Sequence, residues 1–161
     1  MIKIRSGIGY DIHRLEKGDG IFIGGVFVPA EFRTISHSDG DVLLHALMDS
    51  LLGAIGEKDI GELFPDSDSG YKGIRSEILL KKVLKIFKKA GYEILNIDSV
   101  LISEKPKINP VKQAVRENVA RLLGIPKADF NLKAKTKEKL DAVGHGKAIE
   151  CFCMAMIRYK H

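Results

Sequence analysis

The sequence predicts a single α+β domain over residues 1–161: a mostly four-stranded mixed sheet, helices on one face and a small β-hairpin. Three observations carry this. Segments of period-two apolar alternation are interleaved with segments of helical periodicity. No linker, internal repeat or low-complexity stretch divides them. With 161 residues, 45% of them hydrophobic, the chain can bury a core and is too apolar for disorder. Its apolar runs are short, which argues against a membrane span.

Residues 2–13 alternate as a strand and lack the apolar core of a signal peptide. The expected compartment is the cytoplasm, or the matching organellar space if a transit peptide has been removed. Ile21–Ile23, Gly24-Gly25 and Val26–Pro29 predict a hairpin with a glycine turn. Ser38 is the expected N-cap of a helix running to about Ile55, with Asp39 and Asp41 in its first turn. Leu44, Leu47, Met48, Leu51, Leu52 and Ile55 form its core stripe. Residues 56–73, rich in Gly, Asp and Ser, predict a long loop, which in a compact domain points to function or mobility.

A second amphipathic helix is expected over 74–90, then a strand over Tyr92–Ser103. Asn109-Pro110 predicts a cap with proline at the first position of a third helix ending at Gly124. Phe130–Thr136 reads as a strand, 137–146 as a turn or short helix, and Ala148–Tyr159 as a last apolar strand.

The net charge of +5 favours anionic partners. Much of it sits on Lys81, Lys82, Lys85, Lys88 and Lys89, the pattern of a solvated helix face. Nucleic-acid surfaces interleave aromatics or glycine with basic residues, and Phe87 belongs to the apolar pattern instead, so no nucleic-acid partner is expected. Cys151 and Cys153 would face the same way on a strand, too close for an ordinary disulfide, and are expected as buried thiols.

Asp11-Ile12-His13 places two ligand-type side chains on one face of an extended segment. His45 lies on the next helix, with Asp41 and Asp49 on the same face at four-residue spacing. Two histidines and a carboxylate form a recognised catalytic zinc set that leaves a position open. Iron or manganese would suit it too. Asp41 or Asp49 is the expected acceptor for the second imidazole nitrogen. A lone Asp-x-His is also common as a surface pair or local hydrogen bond.

Several blocks together carry a resemblance. These are Gly9–His13, Ile23–Gly25, His37–Ala46, Asp59–Gly61 with Phe64–Asp66, and Lys133–Thr136 with Glu138–Leu140. In order and spacing, over about residues 3–158, they resemble the 2-C-methyl-D-erythritol 2,4-cyclodiphosphate synthase family. The resemblance implies conversion of 4-diphosphocytidyl-2-C-methyl-D-erythritol 2-phosphate to the cyclic diphosphate with release of CMP. It also implies a homotrimer with sheets toward the axis and active sites between subunits.

It assigns Zn2+, or another divalent transition metal, to Asp11, His13 and His45, and Mg2+ or Mn2+ to Glu138. It assigns transition-state stabilisation to His37 and Thr136. Asp59, Ile60 and Gly61 would hold the sugar portion, with Ser38 among the contacts. Phe64, Pro65, Asp66, Ser67 and Asp68 match a mobile substrate loop. The cytosine pocket falls on Ser103, Glu104, Lys105, Pro106, Lys107, Ile108 and Asn109 with Ala134, flanked by Lys135, Thr136, Lys137 and Glu138. Ala142 and His145 also fall among the substrate contacts, but the family often has an aromatic and an arginine there, and a glutamate where Lys147 stands. The family's additional anion site near the trimer axis is therefore expected to be altered. Two other function classes remain open: a metal-dependent phosphohydrolase, and a basic module that binds anions or nucleic acid.

Overall fold

The computed structural model describes residues 3–160. A long strand, β1 (Ile4–Lys17), leads into a hairpin of β2 (Gly20–Ile23) and β3 (Val26–Pro29), then a short β4 (Phe32–Ile35). Helices α1 (Val42–Ile55), α2 (Ile60–Leu63) and α3 (Ser76–Lys89) precede β5 (Tyr92–Ile102). Then come α4 (Lys112–Leu123), β6 (Phe130–Lys135), α5 (Asp141–Gly144) and β7 (Ala148–Tyr159). The large sheet has the order β4-β1-β7-β5-β6. It is mixed, because β5 and β6 run parallel while the other neighbours are antiparallel. Among the described residues no helix is long and apolar enough to cross a membrane.

The sheet has five strands rather than four. β4 pairs with the far end of β1, from Arg14↔Ile35 to Lys17↔Phe32. Four residues between a proline and a polar turn carry too few alternations to stand out from a loop; only the length of β1 gives them a partner.

The hairpin turn puts Gly24 at φ +59° and Gly25 at φ +79°, a pair of values that side chains disfavour and primed turns require. Both glycine N–H groups donate to the Asp41 carboxylate, at 2.9 and 2.6 Å. That carboxylate also accepts from Leu44 N at 3.0 Å, so Asp41 is the N-cap of α1 and ties the hairpin to the helix. Ser38 is not the cap, and neither Asp39 nor Asp41 lies in the first turn. Gly40, at φ +70°, breaks the chain's helical course just before Asp41. Similarly, α4 starts at Lys112 with Val111 as its cap, not Asn109. A turn closed by Val111 N donating to Ile108 O occupies the residues between.

Helix α1 is buried on nearly all sides, because it lies on β1 and β7 and beneath α3. Its contact with β1 is unusually close. A Cβ on Gly9 would stand 1.9 Å from Ala46 O, and one on Gly7 would stand 2.1 Å from Ser50 O. Glycine at these positions lets His45 reach down over Asp11. Gly9→Ala should therefore push backbone against backbone and cost about 3 kcal/mol, the upper end for overpacking. A urea midpoint equal to wild type would contradict the close approach.

The other face of the sheet stays open and apolar. Ile4, Ile8, Tyr10 and Ile12 on β1 and Phe152, Met154 and Met156 on β7 are exposed, Ile8 to 73%. Cys151 and Cys153 point the opposite way, into the core, as free thiols. Burial raises both, Cys153 to about 12 against a weaker pull from Ser50, so neither is a ready nucleophile. The lysines of α3 are exposed while Phe87 is buried, as their spacing predicts.

Candidate metal centre and adjoining cavity

Asp11 and His13 project from the same face of β1, and His45 comes down from the first turn of α1. Their ligating atoms lie within 4.8 Å of one another, and they are the one such group among the described residues. Asp11 Oδ2 is 3.0 Å from His13 Nε2 and 2.9 Å from His45 Nδ1, and the two ring nitrogens are 3.1 Å apart. A tetrahedral ion with bonds of about 2.0 Å spans about 3.3 Å between ligands, so this nearly equilateral triangle fits one face of such a site. Two imidazole nitrogens facing each other at hydrogen-bond distance can share one proton or, better, one cation. The donor set and its spacing both fit a divalent ion.

The charges are matched to that task. Burial would raise Asp11, but hydrogen bonds from His13 and His45 outweigh it and hold the carboxyl below the usual carboxylate range. Burial also opposes the His45 cation, yet the Asp11 bond and charge outweigh it and raise the imidazole. In metal-free protein these shifts should give a stability maximum at mildly acidic to neutral pH. The Asp11 contribution is present above about pH 3.9 and is lost as pH falls toward its lowered native value. The His45 contribution is complete below about pH 6.5 and is lost as pH rises through its raised native value. Urea midpoints of chelator-treated protein check this; stability still climbing above neutrality would contradict it.

His13 and His45 open onto a cavity of about 290 Å3. Of the residues expected to act, His37, Ser38, Ile60, Gly61, Phe64 and Asp66 line it too. The Nε2 of His37 is buried without a hydrogen-bond partner, unlike any other buried side-chain nitrogen or oxygen among the described residues. A buried imidazole nitrogen left unpaired inside a cavity wall is suited to a ligand. Asp59 caps α2 by accepting from Glu62 N, and Asp68 caps the short helix at Ser69–Tyr71. Pro65, Ser67 and Asp68 are exposed and stand outside the cavity lining.

The observed hydrogen-bond partners at the second nitrogen of His45 are not Asp41 or Asp49, the residues the spacing suggests. Asp41 spends its oxygens on the hairpin and the helix cap, and Asp49 accepts from Ile60 N at 2.9 Å, tying α1 to α2. The second nitrogen of His45 instead meets Ser76 Oγ at 2.9 Å and Ser38 Oγ at 3.1 Å. Ser76, Tyr71 and Ile74 have no motif around them in the sequence; Tyr71 and Ile74 join the cavity because the 56–73 segment folds back over α1.

The remaining expected residues are gathered elsewhere. Ser103–Asn109 follow β5, and Ala134–Glu138 end β6. Glu104 accepts from Lys137 N at 2.9 Å and joins the two segments. Thr136 Oγ1 donates to Glu138 Oε1 at 2.5 Å, in a stretch that starts no helix. Lys137 Nζ pairs with buried Glu150, which also accepts from Tyr10 OH at 3.0 Å. Ala142 and His145 are exposed on and beside α5.

Strand register measures the gap between these two groups. Asp11 lies opposite Cys151, Cys151 opposite Leu101, and Leu101 opposite Ala134. Three steps of about 4.8 Å put Ala134 about 14 Å from Asp11, with β7 and β5 between them. None of Ser103–Asn109 or Ala134–Glu138 lines the cavity onto which His13 and His45 open.

Comparison with known proteins gives a consistent picture. The model of the YgbB family matches residues 4–158. The chain is 44% identical over 159 residues to the chloroplastic 2-C-methyl-D-erythritol 2,4-cyclodiphosphate synthase of Arabidopsis thaliana, covering 99% of this chain and 69% of the relative. It is 44% identical over 157 residues to the 2-C-methyl-D-erythritol 2,4-cyclodiphosphate synthase of Fusobacterium nucleatum, covering 98% of each. It superposes with a TM-score of 0.87 and 37% identity on the IspF CDP complex of Plasmodium falciparum, covering 98% of this chain and 97% of that one.

Proposed function

The chain belongs to the YgbB family, and from that membership we propose that residues 1–161 form one enzyme domain that closes a diphosphate ring. It converts 4-diphosphocytidyl-2-C-methyl-D-erythritol 2-phosphate to 2-C-methyl-D-erythritol 2,4-cyclodiphosphate and CMP, a lyase step of isoprenoid biosynthesis. The observation that carries this reading is the Asp11–His13–His45 triangle on a cavity whose wall also holds the unpartnered His37 Nε2.

The substrate's 2-phosphate attacks its own β-phosphorus, and CMP leaves with the electrons of the broken P–O bond. A phosphate monoester is already largely dianionic near neutrality, with a second pKa of about 6, so no strong base is needed. The obstacle is anion repulsion and geometry. Asp11, His13 and His45 would hold Zn2+ and Glu138 would hold Mg2+ or Mn2+, ions that neutralise the diphosphate and act as Lewis acids when bound. His37 and Thr136 donate to phosphoryl oxygens as charge builds there. Ser38, Asp59, Ile60 and Gly61 position the sugar, and Phe64 to Asp68 close over it. Ser103 to Asn109, with Ala134 to Glu138, read the cytosine; a relative solved as a CDP complex supports a cytidine nucleotide. Ala142 and His145 contribute at the edge of that pocket.

The active assembly is a homotrimer with the open sheet faces toward its axis. Two features support this: the exposed apolar rows on β1 and β7, and the 14 Å between the metal group and the nucleotide group. A neighbour's nucleotide group then completes each metal site. The proposed compartment is the cytoplasm.

Turnover with Zn2+ and Mg2+ present, followed by phosphorus NMR, tests the reaction. The expected products are CMP and a cyclic diphosphate. A linear phosphorylated product would point to a phosphohydrolase. Absence of both zinc and CMP release, with salt-sensitive nucleic-acid binding, would point to a basic binding module.

A further inference from the structure

The His45 imidazole is engaged at both nitrogens, and the two sides differ chemically. Nδ1 faces Asp11 and His13, while Nε2 faces Ser76 Oγ at 2.9 Å. Ser76 is the first residue of α3 and is wholly buried. Its hydroxyl also meets Asp39 Oδ1, and its backbone N–H donates to Asp39 Oδ2 at 3.0 Å. The Asp39 carboxylate is nearly buried and is balanced by Arg75, whose Nε lies 3.1 Å from Oδ2. Arg75 is itself held over the Phe22 ring at 3.9 Å.

A hydroxyl has one proton, and an ionised carboxylate can only accept. The Ser76 proton therefore goes to Asp39, which leaves Ser76 Oγ to accept from His45 Nε2–H. Nε2 is then the nitrogen that keeps its proton when the ring is neutral, and Nδ1, which donates to Asp11 Oδ2 while no cation is bound, is the one whose proton a cation displaces and whose lone pair it takes.

We infer that Ser76 and Asp39 are positioning residues that set the His45 tautomer, so that Nδ1 is the ligating atom, and that they raise the metal affinity of the site. The inference rests on the metal reading above. Ser38 Oγ, at 3.1 Å, is a weaker second acceptor: it is half-buried and is already shared with Ser36 and Gly40 N. The relay has a structural consequence too. Asp39 N donates to Ile74 O at 3.0 Å, so the same residue that orders the ring also anchors the end of the cavity's covering segment.

The test uses the full chain and Zn2+ as probe, with affinity read by competition against a chromophoric chelator. Wild type should bind one ion per chain at the triangle. Ser76→Ala should weaken binding by about 10- to 100-fold, as loss of a metal-bound histidine's hydrogen-bond partner does. Asp39→Asn should weaken it in the same direction. The double variant should be no weaker than the more severe single one, since both act through one hydrogen bond. Ser76→Thr keeps the hydroxyl and should retain most of the affinity. Thermal unfolding of the metal-free variants separates a folding defect from a ligation defect. Wild-type affinity in Ser76→Ala would overturn the inference and leave the metal reading standing. An affinity loss in Ser76→Ala that tracks its metal-free stability, with Asp39→Asn unaffected, would also overturn it. Failure of wild type to bind zinc would overturn the metal reading itself.

Discussion

His45→Ala should lower CMP release at least about a thousand-fold, because a bound cation at this site is asked to supply several kcal/mol of charge stabilisation. The side chain contributes one corner of a ligand triangle whose sides are 2.9, 3.0 and 3.1 Å. Removing it leaves two ligands, too few to hold a catalytic ion firmly. It also leaves the Asp11 carboxylate, two-thirds or more shielded, with His13 as its remaining partner in the cluster. The fold should survive, because the core of α1 is made by Leu43, Leu44, Leu47, Met48, Leu51 and Leu52, all essentially fully buried. The decisive measurement pairs steady-state CMP release with zinc content and circular dichroism on the same preparation. Activity within tenfold of wild type in a zinc-free, folded variant would defeat the proposed chemistry.

Mixing two inactive variants should restore about a quarter of wild-type activity, the second large effect. His45→Ala damages the metal group, and Thr136→Ala damages the nucleotide group. If both groups acted within one chain, every site in a mixed trimer would carry one lesion and none would turn over. The register distance of about 14 Å across the sheet argues for sites shared between copies instead. In an equal, random mixture, each shared site then has one chance in four of drawing an intact metal group and an intact nucleotide group. Co-expression with distinct affinity tags, followed by assay of the doubly tagged species, reads this directly: selection removes the homotrimers, and every mixed trimer holds one intact site in three, so about a third of wild-type activity is expected there. No recovery in a species of confirmed mixed composition would place the whole site in one chain.

The main elements were legible wherever burial is one-sided over a long stretch. The final strand, Ala148–Tyr159, has the ends its apolar run predicts: it is buried throughout Ala148–Cys151 and then alternates between the core under α1 and the open face. α3 was equally clear, its lysines on one side and Leu80, Val83 and Phe87 on the other. Short or locally satisfied features were not. β4 is four residues whose strand partner is the tail of β1, and the start of α1 is ambiguous in sequence because Ser38, Asp39 and Asp41 are all good caps. Which one caps was decided by Gly24 and Gly25, which draw the Asp41 carboxylate to their own N–H groups.

The candidate site divides along the same line. Asp11, His13 and His45 could be picked out because ligand chemistry is a property of residue type, and because strand and helix periodicities bring those three side chains to chosen faces. His37 and the 56–73 segment were marked by the motifs around them. Ser76 and Asp39 carried no such mark: serine and aspartate at a helix start are ordinary, and their alignment behind His45 depends on α3 packing across α1. The sequence by itself thus determined which residues are able to ligate and donate, since valence, charge and hydrogen-bonding capacity belong to the side chain. Only the tertiary structure decided which nitrogen of His45 faces the ligand triangle, and that Asp11 and His13 stand on β1 while the segments at Ser103–Asn109 and Ala134–Glu138 stand at the ends of β5 and β6. Those follow from distances between segments far apart in the chain, set by how closely Gly7 and Gly9 let α1 approach β1 and by the order in which the strands pair.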